Sequence, residues 1–272
     1  MAEKPRKPRW AIEKDRARRA GPERVWLFGL HAVRDAIGNP RRRLHRLILT
    51  PNARERIGVA LVEEAAARAG TAAETADPRK FPAPLDPQSV HQGAALETEP
   101  LDWGDLESVC RPRAEAPAPM VLLLDRVTDP HNAGAILRSA EVFGAAAVIA
   151  PRHHSAPETG ALAKSASGAL ERQPYLRVRN LGDAMQWLRK AGYAILGLDG
   201  AAEATLGDAL AESGGAPLAI VLGAEGPGLR PRTRALCDRL GRIPAASAFA
   251  SLNVSNAAAV ALFAARGRSA HG

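Results

Sequence analysis

The strongest constraint on the fold is an alternation of short apolar runs with helical segments from residue 120 onwards. The first run, MVLLLD (120–125), is continuously apolar, as expected for a strand that is covered on both faces. LGDAMQWLRKAG (181–192) is one of the helical segments between runs. The other strand candidates are AVIA (147–150), YLRV (175–178), YAILGLD (193–199), LAIVLG (218–223) and GRIP (241–244). This alternation predicts an α/β fold with a mostly parallel sheet, helices on both sides, and ligand sites at the carboxyl ends of the strands.

Residues 25–99 predict a smaller α/β domain before this one. HAVRDAIG (31–38) is typical of a short helix, and LHRLILT (44–50) and AALETE (94–99) are typical of strands. NARERIGVALVEEAAARAG (52–70) predicts one amphipathic helix that ends at a glycine. Proline and charge accumulate over 100–118, which predicts a linker with room for one helical turn. We therefore expect a second domain over 119–268.

The formal charge of the chain is +8, and much of it lies in the first 24 residues. These residues contain several prolines and few apolar groups, so we expect a disordered basic tail over 1–24. Such a tail favours polyanions, and nucleic acid above all, although a merely solubilising tail has the same composition. There is no run long enough to span a bilayer and no signal-peptide pattern, so we expect a soluble, cytoplasmic protein. Cys110 and Cys237 are far apart, which indicates reduced, incidental thiols.

Three groups of polar residues follow predicted strands or begin predicted helices. Asn132 and Arg138 lie in the segment after the strand 120–125; alternatively, Asn132 caps a helix and Arg138 is a solvated charge. Glu225 stands among Gly223, Gly226 and Gly228, which allow positive φ and a close approach of a ligand to bare backbone. A loop carboxylate in water is the alternative for Glu225.

The third group is SLNVSN (251–256), which opens an otherwise apolar C-terminal helix. Ser251, Asn253 or Ser255 could each cap that helix, but one cap needs only one side chain. Four polar groups, Asn256 being the fourth, exceed what capping requires. Because unpaired polar groups beside a core are costly, a bound polar ligand would account for the excess.

Several other kinds of site are disfavoured. We find no Ser-His-Asp set, no paired acids and no cysteine nucleophile. His153 and His154 are adjacent, so their side chains point apart, and we expect no metal there. A dinucleotide-binding oxidoreductase would match the alternation, but GxGxxG is missing after the first strand of either domain.

The three groups together resemble the motifs of the SpoU branch of the SPOUT RNA methyltransferases, the TrmH family. The matching patterns are N-x-G-x-x-x-R (Asn132, Gly134, Arg138), G-x-E-x-x-G (Gly223, Glu225, Gly228) and S-L-N-V-S (251–255). The resemblance covers about residues 119–268. FGLHAVRDAI and HQGAAL in the first domain are similar to the small L30e-like substrate-binding domain of some members. DPHNAGAILRSAEVFGA and KSASGALE are similar to members that methylate a guanosine ribose of 23S ribosomal RNA.

The resemblance implies an S-adenosylmethionine-dependent RNA 2′-O-ribose methyltransferase with a deep C-terminal trefoil knot. It also implies a homodimer whose active site is completed near the subunit interface. Methylation of transfer RNA and a non-catalytic RNA-binding module remain open alternatives. The residues implied in cofactor binding are Leu198, Gly200, Leu222, Gly223, Ile243 and Leu252.

The resemblance assigns the ribose hydroxyl proton to Arg138. Arginine is protonated at ordinary pH, so it does not serve as a simple resting base. It could instead bind a neighbouring phosphate and stabilise a forming alkoxide, or a substrate phosphate could take the proton. Asn132, Glu225, Ser251 and Asn253 would then orient Arg138, the ribose and the cofactor.

Overall fold

The computed structural model describes residues 23–86, 89–113, 118–246 and 252–268. Nearly all of the predicted tail (residues 1–22) and Ser251 lie outside the described residues. The described chain forms two sheets, one from residues 25–98 and one from residues 120–241.

The first sheet has four strands in the order β1-β4-β2-β3. Strand β4 pairs antiparallel with β1 and β2, and β3 pairs parallel with β2. The strands are β1 Val25–Phe28, β2 Leu44–Leu49, β3 Glu74–Thr75 and β4 Ala94–Thr98, and the helices are α1 Leu30–Gly38, α2 Pro51–Ile57 and α3 Val59–Ala69.

The prediction of a single helix over 52–70 is wrong. Gly58 has φ 95° and ψ 142°, a conformation that side-chain-bearing residues avoid, and it ends α2 and precedes α3. The predicted end is confirmed, since Gly70 is left-handed with φ 67° and its N–H bonds back to helical carbonyls. The apolar periodicity therefore describes two helices whose buried residues belong to the same core.

The second sheet has six parallel strands in the order β10-β8-β9-β5-β6-β7, which confirms the predicted α/β class with a mostly parallel sheet. Every residue of β5 is buried, as its continuous apolar run predicts. The strands are β5 Met120–Asp125, β6 Ala147–Pro151, β7 Tyr175–Val178, β8 Ala194–Leu198, β9 Leu218–Gly223 and β10 Arg239–Gly241. The helices are α4 Leu106–Cys110, α5 Pro130–Val142, α6 Gly160–Ala166, α7 Leu181–Lys190, α8 Leu206–Ala211, α9 Pro231–Ala235 and α10 Val254–Arg268, with a 3-10 helix at Ala169–Glu171.

The last strand lies earlier than predicted. GRIP (241–244) was expected to form it, but β10 ends at Gly241 and the chain then leaves the sheet. Pro244 cannot donate to a strand ladder, so the segment after Gly241 is poorly suited to continue one. This early exit frees Ile243 and Pro244 to line a pocket, described below.

The segment 100–113 packs against the second sheet. Trp103 and Leu106 contact the core on one face of that sheet, and Cys110 in α4 is buried within it. The Tyr193 hydroxyl donates to the Cys110 carbonyl at 2.6 Å. Burial raises the pKa of both thiols, Cys110 and Cys237, to about 12, which suits incidental, unreactive cysteines.

A buried ion cluster joins the two sheets. Arg42, between α1 and β2, is 0% exposed and pairs with Glu158 and Glu171 from the second domain. Its Nη2 lies 2.6 Å from Glu171 Oε1, and Asn39 Nδ2 donates to Glu171 Oε2 at 2.9 Å. Burial raises the pKa of the Glu158 carboxyl against the opposing effect of Arg42. Burial alone would lower the pKa of the Arg42 guanidinium, but the carboxylates of Glu158 and Glu171 have the larger combined effect and raise it. The first domain is thus held in place by charges that have little access to water.

Helix α6 lies very close to the first sheet. A Cβ atom on Gly160 would lie 2.2 Å from Phe28 Cδ1 and 2.7 Å from the Trp26 carbonyl oxygen. A larger residue at the start of α6 would therefore push the domains apart.

Within the described residues, no helix is long and apolar enough to cross a membrane. The same part of the chain contains no group of three or more His, Cys, Asp or Glu side chains that could hold a metal ion.

Candidate active site

A pocket of about 670 Å³ lies at the carboxyl ends of β8, β9 and β10. Its wall is formed by the segments 198–200, 222–228 and 241–246, and by residues 252–257 at the start of α10. This is where an open parallel sheet is expected to bind ligands.

All six residues implied in cofactor binding by the sequence lie in the wall of this pocket. They are Leu198, Gly200, Leu222, Gly223, Ile243 and Leu252. Leu252 is 50% exposed, so its side chain is accessible from the pocket. Four of the six side chains are aliphatic, so this wall suits a flat apolar group, whereas the glycines offer bare backbone.

The glycines of the 223–228 loop have two different roles. Gly226 and Gly228 have φ values of 82° and 66°, as the sequence suggests. Gly223 does not have a positive φ. A Cβ atom there would lie 2.2 Å from the Gly228 carbonyl carbon, so Gly223 is required because the loop folds back against it. Gly228 N–H donates to the Ala224 carbonyl at 2.9 Å and closes this turn.

Three predicted polar residues meet at the mouth of the pocket. Asn132 Nδ2 donates to Glu225 Oε1 at 3.1 Å, and Asn253 Nδ2 donates to Asn132 Oδ1 at 2.9 Å and also to Glu225 Oε1. The Val254 N–H reaches the same Glu225 oxygen at 3.4 Å. Asn132 is buried, so its amide is fixed by these partners. We call Asn132, Glu225 and Asn253 the amide–carboxylate cluster.

Of the two asparagines considered as helix caps, Asn132 is not a cap and Asn253 is. Asp129 caps α5, since its side chain accepts from the His131 N–H at 2.9 Å, so the capping role considered for Asn132 is wrong. Asn253 caps α10, where its Oδ1 accepts from Ser255 N at 2.8 Å and from Ser255 Oγ at 2.6 Å. Asn253 therefore serves the helix with its oxygen and the cluster with its nitrogen.

Arg138 lies outside this cluster. It is exposed near the middle of α5 and does not line the pocket, and its side chain makes no hydrogen bond or ion pair with any residue that the structure describes. Val142, one helical turn further on the same face, is 72% exposed. The structure thus brings together nine of the eleven predicted site residues, leaves Arg138 on an open helix face, and does not describe Ser251.

Two carboxylates near the site were missed from the sequence. Asp125 ends β5 with its side chain fully buried and accepts from Arg230 Nε at 2.6 Å and from Arg230 N at 3.0 Å. This pairing holds the end of the glycine loop against β5. Asp199 follows β8 in the pocket wall and pairs with Arg234 at 3.0 Å. Each acid ends an apolar run of the sequence, MVLLLD and AILGLD, and that position was the available signal.

Comparison with known proteins decides the family. The model of the SpoU rRNA methylase family matches residues 119–263, and the model for RNA 2′-O ribose methyltransferase substrate binding matches residues 26–103. The chain belongs to the SpoU rRNA methylase family.

Curated members of the SpoU family are similar over most of this chain. The 23S rRNA (guanosine-2′-O-)-methyltransferase RlmB of Vibrio vulnificus is 39% identical over 252 residues, which cover 88% of this chain and 94% of that protein. The protein of the same name from Pseudomonas putida is 37% identical, over 87% and 94% of the two chains.

A solved SpoU structure has the same overall architecture. AviRb from Streptomyces viridochromogenes, in complex with the cofactor AdoMet, superimposes with a TM-score of 0.74 at 25% identity, covering 95% of this chain and 94% of that one. Both domains are therefore part of the likeness.

Proposed function

We propose that this chain transfers a methyl group from S-adenosylmethionine to the 2′-hydroxyl of a guanosine in 23S ribosomal RNA. The observation that carries the proposal is the amide–carboxylate cluster at the mouth of a pocket whose wall contains all six predicted cofactor residues. The names of the curated relatives supply the substrate, and the AdoMet complex of AviRb supports the cofactor.

The pocket suits S-adenosylmethionine in size and lining. Its volume lies within the range of about 300–1,000 Å³ that is typical of small-molecule sites. Leu198, Ile243 and Leu252 would pack against the adenine, and backbone at Gly223 would hydrogen-bond to polar edges. The Asp199 carboxylate would accept from ribose hydroxyls or the amino group. When bound, the cofactor supplies a methyl group that its sulfonium already activates.

The remaining task of the protein is to align the ribose and to handle its proton. In the proposed mechanism, the amide–carboxylate cluster orients the target ribose and the start of α10. Ser251 is assigned to the same task by the family motif. Arg138 binds a phosphate beside the target and stabilises the charge that develops on the 2′-oxygen as its proton passes to an oxygen of a substrate phosphate. Once the phosphate and the dimer interface described below hold the guanidinium in place, it needs no reorganisation during the reaction.

A homodimer accounts for the position of Arg138. Val142, Phe143, Val260 and Phe263 form an apolar patch on α5 and α10, with Phe143 and Phe263 in edge-to-face contact at 6.2 Å. Phe263 is 71% exposed, which is costly for a single chain in water. Because Arg138 lies one turn from Val142, a second copy seated on this patch would bring Arg138 into the interface, beside a site shared by both subunits.

Four further features of this protein belong to the proposal. The first is a trefoil knot around the C-terminal segment. The second is the division into a basic tail (1–24), an L30e-like RNA-binding domain (25–99), a linker (100–118) and a catalytic domain (119–268). The third is a cytoplasmic location, and the fourth is chemistry without a metal.

The test of the proposed function is methyl transfer to defined RNA. The full chain is incubated with unmodified 23S ribosomal RNA, bulk transfer RNA and labelled S-adenosylmethionine, and the products are mapped as alkali-resistant linkages. One 2′-O-methylguanosine in 23S RNA is expected. Product in transfer RNA alone would move the substrate to that class. No product and no binding of S-adenosylmethionine in calorimetry would favour the non-catalytic RNA-binding module.

Gly223→Ala is expected to weaken S-adenosylmethionine binding by about tenfold or more. The new methyl group would clash with the Gly228 backbone, and overpacking of this kind costs about 1–3 kcal/mol. Calorimetric titration measures the change. Gly207→Ala in α8 is the matched control, since its Cβ would meet only an ordinary contact at 3.7 Å. Equal affinities in the two variants would contradict the assigned pocket.

Phe263→Glu is expected to convert the protein to a monomer and to reduce methyl transfer, because a charge would replace an aromatic group at the centre of the apolar patch. Sedimentation velocity measures the oligomeric state. Val59→Glu, at an exposed valine of α3, is the control and should leave it unchanged. A wild-type protein that sediments as a monomer at working concentration would contradict the dimer.

A further inference from the structure

Five basic residues follow directly on three neighbouring strands of the second sheet. Arg126 comes after β5, Arg152, His153 and His154 come after β6, and Arg179 comes after β7. All five are exposed. Since the strands are parallel, all five lie at the same carboxyl edge as the pocket. We call them the basic row.

The basic row is not neutralised by nearby acids. Within the ranges that the structure describes, none of its side chains pairs with a carboxylate, and the one recorded bond runs from Arg152 Nε to the Arg177 carbonyl at 3.2 Å. Several other exposed arginines do have acidic partners: Arg24, Arg46, Arg111, Arg172 and Arg189. The row therefore presents positive charge at the carboxyl edge that no described carboxylate pairs with.

The backbone of the row is also unusual. Arg126 and His154 have φ values of 64° and 59°, in the left-handed region that most residues avoid. Among described non-glycine residues only Gln92 and Ser167 share such values. Left-handed non-glycine residues are costly and are often found at ligand sites. Two of these four strained positions thus end neighbouring strands at the carboxyl edge.

The order of the strands places the row beside the reaction site. Strand β5 is the neighbour of β9, whose end leads to Gly223 and Glu225, and β6 and β7 follow outwards. Neighbouring strands are about 4.8 Å apart. The row, which runs from the end of β5 to the end of β7, is therefore roughly 10 Å long and leads away from the amide–carboxylate cluster. Arg152 and His153, in the middle of the row, line a second cavity of about 760 Å³, whose wall also contains Trp103 and the acids Glu99, Asp102 and Glu158.

We propose that the basic row binds the phosphates of a single-stranded RNA segment that flanks the methylated nucleotide. This inference rests on the proposed function and adds the side chains that position its substrate. Phosphates are the partner because the row presents unpaired cations, and phosphate contacts fix register without reading sequence. A single strand is the partner because the adjoining cavity has room for an unstacked base, which a duplex does not present.

The test compares RNA binding of two variants that lose equal charge. The row variant is Arg126→Asn/Arg152→Gln/Arg179→Gln, with asparagine chosen because it tolerates the left-handed backbone. The control is Arg172→Gln/Lys190→Gln/Arg111→Gln, at exposed positions away from the strand ends that carry the row. Affinity for a single-stranded fragment of the methylated RNA is measured by fluorescence anisotropy over a series of salt concentrations. Thermal melting and calorimetry with S-adenosylmethionine check that each variant is folded.

The row variant should reduce the slope of log K against log salt by about 2, since each lost contact with single-stranded RNA removes about 0.7. The control should keep the wild-type slope, and cofactor affinity should be unchanged in both. Equal slopes in the two variants would overturn the inference, as would a duplex that binds as tightly as the single strand. If the row variant is unstable, the double variant Arg152→Gln/Arg179→Gln is used instead. Its slope of log K against log salt should be reduced by about 1.4. Failure of the wild type to methylate RNA would instead overturn the proposed function.

Discussion

Arg42→Met is expected to lower the free energy of unfolding by about 3–5 kcal/mol, because it leaves Glu158 and Glu171 buried without their counter-charge. Asn39 would remain as the one neutral donor to Glu171. Urea denaturation followed by circular dichroism measures the change as a shift of the midpoint. Arg46→Met is the matched control, since the Arg46–Glu74 pair is exposed to solvent and its loss should leave the midpoint nearly unchanged.

The deficit of Arg42→Met should shrink as the pH is lowered from neutral. Burial already raises the pKa of Glu158, and loss of the guanidinium would raise it further. A carboxyl group whose pKa is higher in the folded state binds protons more readily when folded, so it favours folding at low pH and loses that contribution as the pH rises through the folded pKa. Glu158→Gln/Glu171→Gln in the Arg42→Met background should recover part of the stability. A deficit no larger than that of Arg46→Met would contradict the role assigned to this ion cluster.

Arg138→Ala is expected to reduce the rate of methyl transfer by about 10²–10³-fold, the range seen when one fixed donor to developing negative charge is removed. Its affinity for S-adenosylmethionine should stay unchanged, because Arg138 does not line the pocket. Single-turnover transfer to 23S RNA at saturating cofactor measures the rate. Arg138→Lys keeps the positive charge but loses the planar fork of donors, so its rate should lie between those of the wild type and Arg138→Ala.

Arg172→Ala is the control for Arg138→Ala, since Arg172 is also exposed and lies after the 3-10 helix, where it pairs with Glu141. Sedimentation velocity of Arg138→Ala shows whether the variant is still a dimer. A slow variant that remains a dimer has lost the donor and not the subunit interface. Near-normal transfer by Arg138→Ala would remove Arg138 from the mechanism.

The strands of the second sheet were accessible from the sequence, because a strand covered on both faces needs a continuous apolar run. MVLLLD and LAIVLG are such runs, and both form strands at the predicted residues. The boundaries of helices and strands were wrong where a single glycine or proline interrupts an element that the apolar pattern predicts to continue. Gly58 splits the helix predicted over 52–70, and the last strand ends before Ile243 rather than continuing to Pro244.

The site was predictable to a similar extent. The residue types of Asn132, Glu225 and Asn253 and their positions after strands or at helix starts indicated a shared site before any distance was known. Their hydrogen bonds link residues 93 and 121 positions apart, and no local pattern encodes such a separation. The buried Asp125–Arg230 pair was missed for the same reason: Asp125 ends an apolar strand, but its partner lies 105 residues away and no local pattern points to it.

The sequence alone was sufficient for the α/β class, the order of the strands along the chain and the residue types of the site, since these depend on local apolar periodicity and motif spacing. The roles of individual side chains required the folded chain. Asp129 rather than Asn132 caps α5, Gly223 is needed for close packing, and Arg42 is buried between two carboxylates of the other domain. Each of these depends on which distant groups lie within a few ångströms, and that follows from how the two sheets and their loops pack together.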